Sequence, residues 1–338
     1  MNILVTGGMG YIGSHIALSL LNEKHEVTIL DNLSNSNFEI LKNLELLSNK
    51  KPNFIKGDIL NTELVVKTLQ NYKINAVIHL AGLKAVGESV SKPLIYYKNN
   101  VLGAASLLEA MEICEIDKLV FSSSATVYGK PNSLPIKEDH PLNPNNPYGR
   151  SKLYVEKILA DLVQSNNNWK IINLRYFNPV GSHASGLIGD NPNGIPNNLM
   201  PYINQVAIGE RPFLKIFGND YETPDGTGIR DYIHVEDLSD AHLAALHLLD
   251  FGRNTHTGEY NTFNIGTGSG FSVLEIVETY EKINKLKIPY KIFPRRDGDI
   301  ASSYADSTKA NTILNWKASR TLKDMCQSAW NFQKIKHN

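Results

Sequence analysis

Apolar residues along the first half of the chain fall into short continuous runs separated by stretches of helical period. The runs are Ile3–Val5, Val27–Leu30, Phe54–Ile55, Ala76–Leu80, Lys118–Phe121 and Ile171–Leu174, and the clearest helical stretch is Ile12–Leu21. Strands this short and apolar, alternating with helices, predict a parallel sheet buried on both faces and joined by right-handed crossovers. The fold class expected is α/β, a Rossmann-type doubly wound parallel sheet with a smaller α/β substrate domain.

The pattern changes after residue 177. Residues 178–198 hold Gly- and Pro-rich turns with little periodicity, and 217–228 is a second such stretch. Long structureless stretches in a compact fold are more often functional loops than spacers. We therefore expect one domain, built on the parallel sheet, over 1–177 and a smaller, discontinuous domain over 178–338. Glu236–Leu249 and Tyr260–Ile265 read as a helix and strand that rejoin the first domain, within a returning segment of about 232–265. Ser272 and Glu275 form a capping-box pattern that predicts a helix through about Lys285, and Thr321–Ile335 reads as a final amphipathic helix.

Composition narrows the function classes. The 338 residues are 42% hydrophobic and 20% charged, an ordinary globular balance. Lys plus Arg equals Asp plus Glu at 34 each, so the basic excess of a nucleic-acid binder is missing. The two cysteines, Cys114 and Cys326, form no CxxC, and no metal-ligand spacing occurs, so we expect neither a disulfide scaffold nor a metal site. No apolar run reaches 18 residues, and the first residues lack the basic start and apolar stretch of a signal peptide. The expectation is a cytoplasmic protein with reduced thiols and no membrane partner.

Three groups of residues carry chemistry. Thr6–Gly13 fits GxxGxxG at Gly7, Gly10 and Gly13, directly after the first strand and at the opening of the first helix. Glycines there let the backbone approach a pyrophosphate, and the helix N-terminus offers N–H groups and partial positive charge. Asp31, at the end of the second strand, stands where a carboxylate accepts an adenosine ribose and repels a 2′-phosphate, which favours NAD over NADP. A turn role for Asp31 is the alternative. Asp58, after the third strand, is placed to reach the adenine edge.

Tyr148 and Lys152, four apart, share a helix face, and Ser122–Ser124 end a strand upstream. About one YxxxK match is expected by chance in a chain with 15 tyrosines, so context carries the argument. A tyrosine is a poor base at neutral pH, and an ammonium and an oxidised nicotinamide both favour its phenolate. Lowering its pKa by about three units takes roughly 4 kcal/mol, within reach of two nearby cations. Arg230 and the pair Arg295-Arg296 suit a diphosphate, with surface ion pairing as the other reading.

Together these strings resemble the extended short-chain dehydrogenase/reductase family, and within it the UDP-hexose 4-epimerases, over essentially the whole chain. The carrying strings are LVTGGMGYIGSH, LDNLSNS, HLAGLKAVGESV, FSSSATVYG, NPYGRSK, LRYFNPVG, GIPNNLMPY, IFGNDY, DGTGIRDYIHVEDL and PRRDGD. The resemblance implies NAD held by Gly7, Gly10, Tyr11, Ile12, Gly13, Asp31, Asn32, Asn35, Ser36, Asp58, Ile59, Leu80, Ala81, Gly82, Lys84, Asn99, Ser124, Tyr148, Lys152 and Phe177. Tyr148 is implied as acid/base, Ser124 as its partner at the sugar 4-hydroxyl, and Lys152 as activator. A UDP-sugar substrate is implied at Asn178, Asn198, Leu199, Lys215, Ile216, Phe217, Arg230, Tyr232, Arg296 and Asp299, with Lys84, Ser124 and Tyr148 at the sugar.

The implied reaction is epimerisation at C4 through a transient 4-keto sugar, in a homodimer. One position departs from members restricted to glucose and galactose. Ser303 precedes Tyr304-Ala305-Asp306 where those members often carry a bulky tyrosine, which implies room for N-acetylated sugars. A 4,6-dehydratase is the nearest alternative, but Ala125 and Thr126 after Ser124 cannot supply its extra acid and base. A dehydrogenase that releases NADH and an inert dinucleotide sensor are the further alternatives.

Overall fold

A computed structural model of the protein describes residues 1–192, 194–251, 258–296 and 298–337. Part of the returning segment (252–257), Asn193 of the first turn-rich stretch and Asp297 of PRRDGD lie outside the described residues. The chain divides into two compact units. The first comprises Met1–Gly129, Pro141–Tyr176 and Ser239–Phe263, and the second Lys130–His140, Phe177–Leu238 and Asn264–Asn338. By this division 130–140, within the expected first domain, and 232–238, within the expected returning segment, join the second unit.

Elements of the first unit follow the alternation of the sequence. They are β1 (Asn2–Thr6), α1 (Tyr11–Asn22), β2 (Glu26–Asp31), α2 (Glu39–Ser48), β3 (Asn53–Lys56), α3 (Thr62–Asn71), β4 (Ala76–His79), α4 (Val86–Ser91) and α5 (Pro93–Tyr96). A π-helical turn, Tyr97–Leu102, leads into α6 (Gly103–Ile113) and β5 (Lys118–Ser124). A 3₁₀ turn, Ala125–Tyr128, then precedes α7 (Pro147–Ser165) and β6 (Lys170–Tyr176). The second unit adds β7 (Asn178–Val180), α8 (Leu199–Ala207), β8 (Leu214–Phe217), β9 (Ile229–Arg230) and β10 (Tyr232–His234). There follow α9 (Val235–Phe251), β11 (Glu259–Ile265), β12 (Phe271–Ser272), α10 (Val273–Asn284), β13 (Tyr290–Phe293), β14 (Ser302–Ser303), α11 (Thr308–Ile313) and α12 (Leu322–His337).

Seven strands form one sheet in the order β11-β6-β5-β4-β1-β2-β3, and β1 to β6 pair in parallel. Because β1 lies between β2 and β4, the strand order reverses there, and such a switch point opens a ligand crevice at the carboxyl ends of the strands. The apolar runs are buried as a two-faced sheet requires: Ile3, Leu4, Val5, Val77 and Ile78 are all fully inaccessible. Trp169, Leu107, Leu119 and Leu159 belong to one cluster that seals a face of this unit. The second unit has its own core, in which Ile203, Ile216, Ile276, Tyr280 and Met325 meet. Its capping box forms in full, with Ser272 N–H on Glu275 Oε2 at 2.6 Å and Glu275 N–H on Ser272 Oγ at 3.1 Å. The turn-rich stretch after 177 is less bare than its sequence suggests, since β7 pairs in parallel with β10. No helix among the described residues is long and apolar enough to cross a membrane.

Candidate active site

The glycine turn is shaped for a close approach. Gly7 has φ +71°, and a Cβ there would stand 2.8 Å from the Ala81 nitrogen. A Cβ on Gly13 would lie 2.2 Å from the Gly7 carbonyl oxygen, an overlap no side chain tolerates. Helix α1 begins at Gly10 with no side-chain cap and no acidic residue in its first turn, as a helix N-terminus kept for an anion should. Asp31 is nearly buried and accepts Met9 N–H at 3.0 Å, Leu33 N–H at 2.8 Å and the Ser36 hydroxyl at 3.0 Å. It thus ties the glycine turn to the end of β2, and a carboxylate's four lone-pair sites leave one acceptor position over. Asn32 Nδ2 donates to Asp58 Oδ2 at 3.0 Å, which joins the ends of β2 and β3. Asn35 and Lys84 are exposed, and Lys84 Nζ stands 5.8 Å from the Tyr11 ring. The Ile59 side chain belongs to the core.

Beside the turn, β4 ends at a polar pair. Thr6 Oγ1 and His79 Nδ1 are 2.7 Å apart, and burial pushes His79 down to about 3, so its ring is neutral. Leu80 and Ala81 follow directly. Asn100, in the π-helical turn, accepts Leu83 N–H at 2.8 Å and donates to the Leu83 carbonyl at 3.0 Å and to Ser151 Oγ at 2.9 Å. It is Asn100 that fixes this loop, whereas Asn99 Nδ2 caps the Ile95 carbonyl of its own helix at 3.0 Å. π-Turns of this kind concentrate at functional sites.

Helix α7 presents Tyr148 and Lys152. Asn146 caps it, accepting Gly149 N–H at 2.9 Å, and Pro147 occupies its first position. Lys152 is buried, donates to the Ser122 carbonyl at 2.7 Å and stands 5.0 Å from the Phe121 ring. Burial lowers its ammonium to about 8, opposed by the charge of Glu156. Ser124 Oγ accepts the Thr126 hydroxyl at 2.9 Å and Thr126 N–H at 3.3 Å, which holds it at the end of β5. Burial raises the Tyr148 phenol above its ordinary value, and the hydrogen bond with Ser124 opposes that rise. The resting tyrosine is therefore a protonated acid at neutral pH, and forming its phenolate takes further cationic charge.

In the second unit, β9 lies between β12 and β14, so Ser303 stands beside Arg230 in register, in a strand and not at a turn. Asn178 is paired with Tyr232, and its N–H donates to the Asp231 carbonyl at 2.9 Å. Arg296 stands 4.9 Å from the Phe217 ring and forks onto Asp299 at 2.8 and 3.2 Å. The charges of Arg230 and Arg296 both act on Tyr221 and Tyr232. Asn198 and Leu199 open α8, which has no side-chain cap and no acid in its first turn. Lys215 is exposed, while Ile216 is a core side chain and offers a ligand only its backbone. Phe177 is buried at the start of this unit.

The sequence profile of the family described as GDP-mannose 4,6 dehydratase matches residues 4–329. The chain is 52% identical to the UDP-glucose 4-epimerase of Dictyostelium discoideum over 336 residues, 99% of this chain and 96% of that protein. The chain belongs to the UDP-glucose 4-epimerase family. Among solved structures, this epimerase fold is similar to the Stenotrophomonas maltophila UDP-glucose-4-epimerase with bound NAD and formylated UDP-arabinopyranose. The TM-score is 0.96 at 46% identity, covering 100% of this chain and 99% of that one. It is likewise similar to the Bifidobacterium longum UDP-glucose 4-epimerase in complex with NAD+ and UDP, at TM-score 0.95 and 47% identity, with coverage of 100% and 99%.

Several residues that organise the loops of each unit left no readable signal in the sequence. Thr126 orients Ser124 and Asn100 holds the loop after β4. Asp231 is fully buried and accepts Thr267 N–H, the Thr267 hydroxyl, Gly268 N–H and Ala305 N–H between 2.7 and 3.1 Å. It thereby fixes the strand junction between Arg230 and Tyr232. One grouping of ligand-bearing side chains also forms that the sequence does not announce. Glu23, His25 and His247 bring one possible ligand atom each to within 4.8 Å of one another. Residues 224 apart in the chain carry no local spacing signal, so folding alone reveals the group.

Proposed function

We propose that this protein epimerises UDP-hexoses at C4, interconverting UDP-glucose and UDP-galactose through a transient 4-keto sugar. The observation that carries the reading is the arrangement of Tyr148, Ser124 and Lys152 at the carboxyl end of β5, in a fold whose glycine turn leads into the uncapped, acid-free N-terminus of α1. NAD would be held at that turn, and the chemistry it would supply is acceptance of hydride from C4 and its return to the opposite face. Asp31, Asp58 and the α1 N-terminus hold the cofactor. Tyr148 exchanges the proton of the sugar 4-oxygen, Ser124 aligns that oxygen, and Lys152 stabilises the phenolate electrostatically. Arg230 and Arg296 bind the diphosphate, with Asn178, Asn198, Leu199, Lys215, Phe217 and Asp299 as the other nucleotide contacts.

We further propose that UDP-GlcNAc and UDP-GalNAc are substrates. Ser303 is small, half-buried and directly beside Arg230, where a tyrosine ring would take up space. We also propose a cytoplasmic homodimer. Helices α4, α5 and the π-turn pack on α7 and leave Val90, Leu94, Ile95, Leu102 and Tyr154 exposed, an apolar surface that a second copy would cover. Cys114 and Cys326 are unpaired, as a reducing compartment allows.

The test is to incubate purified protein, without added cofactor, with each of the four UDP-sugars and identify the products. The expected result is interconversion within both pairs. Dependence on added NAD with stoichiometric NADH release would assign a dehydrogenase, and loss of water from the sugar would assign a dehydratase.

A further inference from the structure

Helix α7 carries an acid one turn beyond Lys152. Tyr148, Lys152 and Glu156 recur at four-residue spacing and share a face. All three meet the last residues of β5. Lys152 Nζ donates to the Ser122 carbonyl at 2.7 Å, Ser123 Oγ donates to Glu156 Oε1 at 2.5 Å, and Ser124 lies close enough to Tyr148 to favour its phenolate. Two consecutive serines thus bond Lys152 and Glu156, and the third stands at Tyr148.

Glu156 is only 3% exposed, and its partners are complete. Arg175 Nε and Nη2 donate to its two oxygens at 3.1 and 2.7 Å, and Arg175 Nη1 reaches Tyr128 Oη at 2.9 Å. Tyr260 Oη donates to the Glu156 main-chain oxygen at 3.2 Å. A buried ion pair contributes little stability compared with apolar residues of the same volume, so packing alone does not call for a charge here.

We propose that Glu156 is a positioning residue for the epimerase reaction: its carboxylate locks Ser122–Ser124 against Tyr148 and Lys152 and supplies the negative charge that holds the Lys152 proton, while Arg175 tempers that charge. The inference rests on the epimerase reading above. Lys152 shares its helix face with Tyr148 and Glu156, and is faced by neutral His79 from β4 and by the Phe121 ring and Ser122 carbonyl from β5. Gly82 and Asn100 close the remaining side, since a Cβ on Gly82 would lie 4.0 Å from Lys152 Nζ and 3.0 Å from Asn100 Oδ1. Arg175 and Tyr128 stand behind Glu156. Within this set Glu156 is the carboxylate, and its attraction opposes the burial that strips Lys152 of its proton.

The test compares Glu156→Gln and Arg175→Met in the cofactor-loaded enzyme, reading kcat and KM for UDP-galactose from pH 6 to 10. Glu156→Gln keeps the shape and removes the charge. Its alkaline limb should move down by about one pH unit, roughly a tenfold loss of kcat on that side, with KM little changed. Arg175→Met should move the limb upward, because the carboxylate then acts unopposed. Limbs that stay put, or that move together, overturn the proposal, since a structural defect has no reason to give opposite signs. If either single variant fails to fold, the double variant, which keeps this core neutral, should fold and titrate between wild type and the Glu156→Gln expectation. An unmoved limb there overturns the proposal equally. If wild type shows no epimerisation, the functional reading fails instead, and the pH dependence of NAD dissociation in the same variants tests Glu156 without turnover.

Discussion

Raising the pH past about 8 should switch the enzyme off through Lys152. The residue is 6% exposed, and its ammonium is held by one carbonyl at 2.7 Å and one aromatic ring at 5.0 Å. Burial brings it from its ordinary 10.5 to about 8, a difference of about 3 kcal/mol between the charged and neutral forms. Two consequences of opposite sign follow. Activity needs the charged form, about nine-tenths populated at pH 7 and about one-tenth at pH 9 for such a value. Stability runs the other way: between about 8 and 10.5 the unfolded chain binds this proton and the folded one does not, so this group's contribution to stability rises with pH across that window. The assay is initial kcat at saturating UDP-galactose from pH 6 to 10, quenched and quantified by chromatography so that no coupling enzyme adds its own profile. Lys152→Met completes the test, because it removes the buried charge. Stripped of cofactor, it should melt at or above wild type at pH 7 while turnover is lost. A kcat that stays level to pH 10, or a Lys152→Met variant that retains turnover, would refute the reasoning.

Three further substitutions probe separate parts of the site. Tyr148→Phe keeps the ring but deletes the proton-exchanging oxygen, so kcat should fall by about 10²–10⁴ while UDP affinity measured by calorimetry stays near wild type. Gly13→Ala drives a methyl to 2.2 Å from the Gly7 carbonyl, and should cost about 1–3 kcal/mol in urea denaturation and leave the purified protein depleted of NAD. Ser303→Tyr should abolish turnover of the N-acetylated pair and spare UDP-glucose and UDP-galactose, because a clash discriminates by repulsion. Equal loss of both activities would remove Ser303 from the hexose pocket.

The sheet was legible because parallel strands buried on both faces read as unbroken apolar runs, and Ile3–Val5 and Ala76–Leu80 became the switch-point strands. The glycine turn was legible because Gly7 and Gly13 answer to backbone sterics, which glycine alone satisfies. Tyr148 and Lys152 stood out by their context, a glycine turn and a serine-ended strand upstream, and not by helical spacing alone. Glu156 did not, although it continues the same spacing, because its meaning depends on Arg175 from β6 and Ser123 from β5. Asp231 was hidden for the same reason: its four donors come from Thr267, Gly268 and Ala305, 36 to 74 residues away. The three-residue strands β7 and β10 are too short to show a period, so the stretch after 177 looked barer than it is.

The central claim is that hydride leaves C4 and returns to the same carbon without exchanging with water. Turnover of UDP-[4-²H]galactose in ordinary water, with the product examined by NMR, tests it directly. The product should be UDP-glucose that keeps its deuterium at C4, with none in the solvent. Product carrying hydrogen at C4 would contradict it, since the centre would then have inverted by deprotonation and not by hydride transfer.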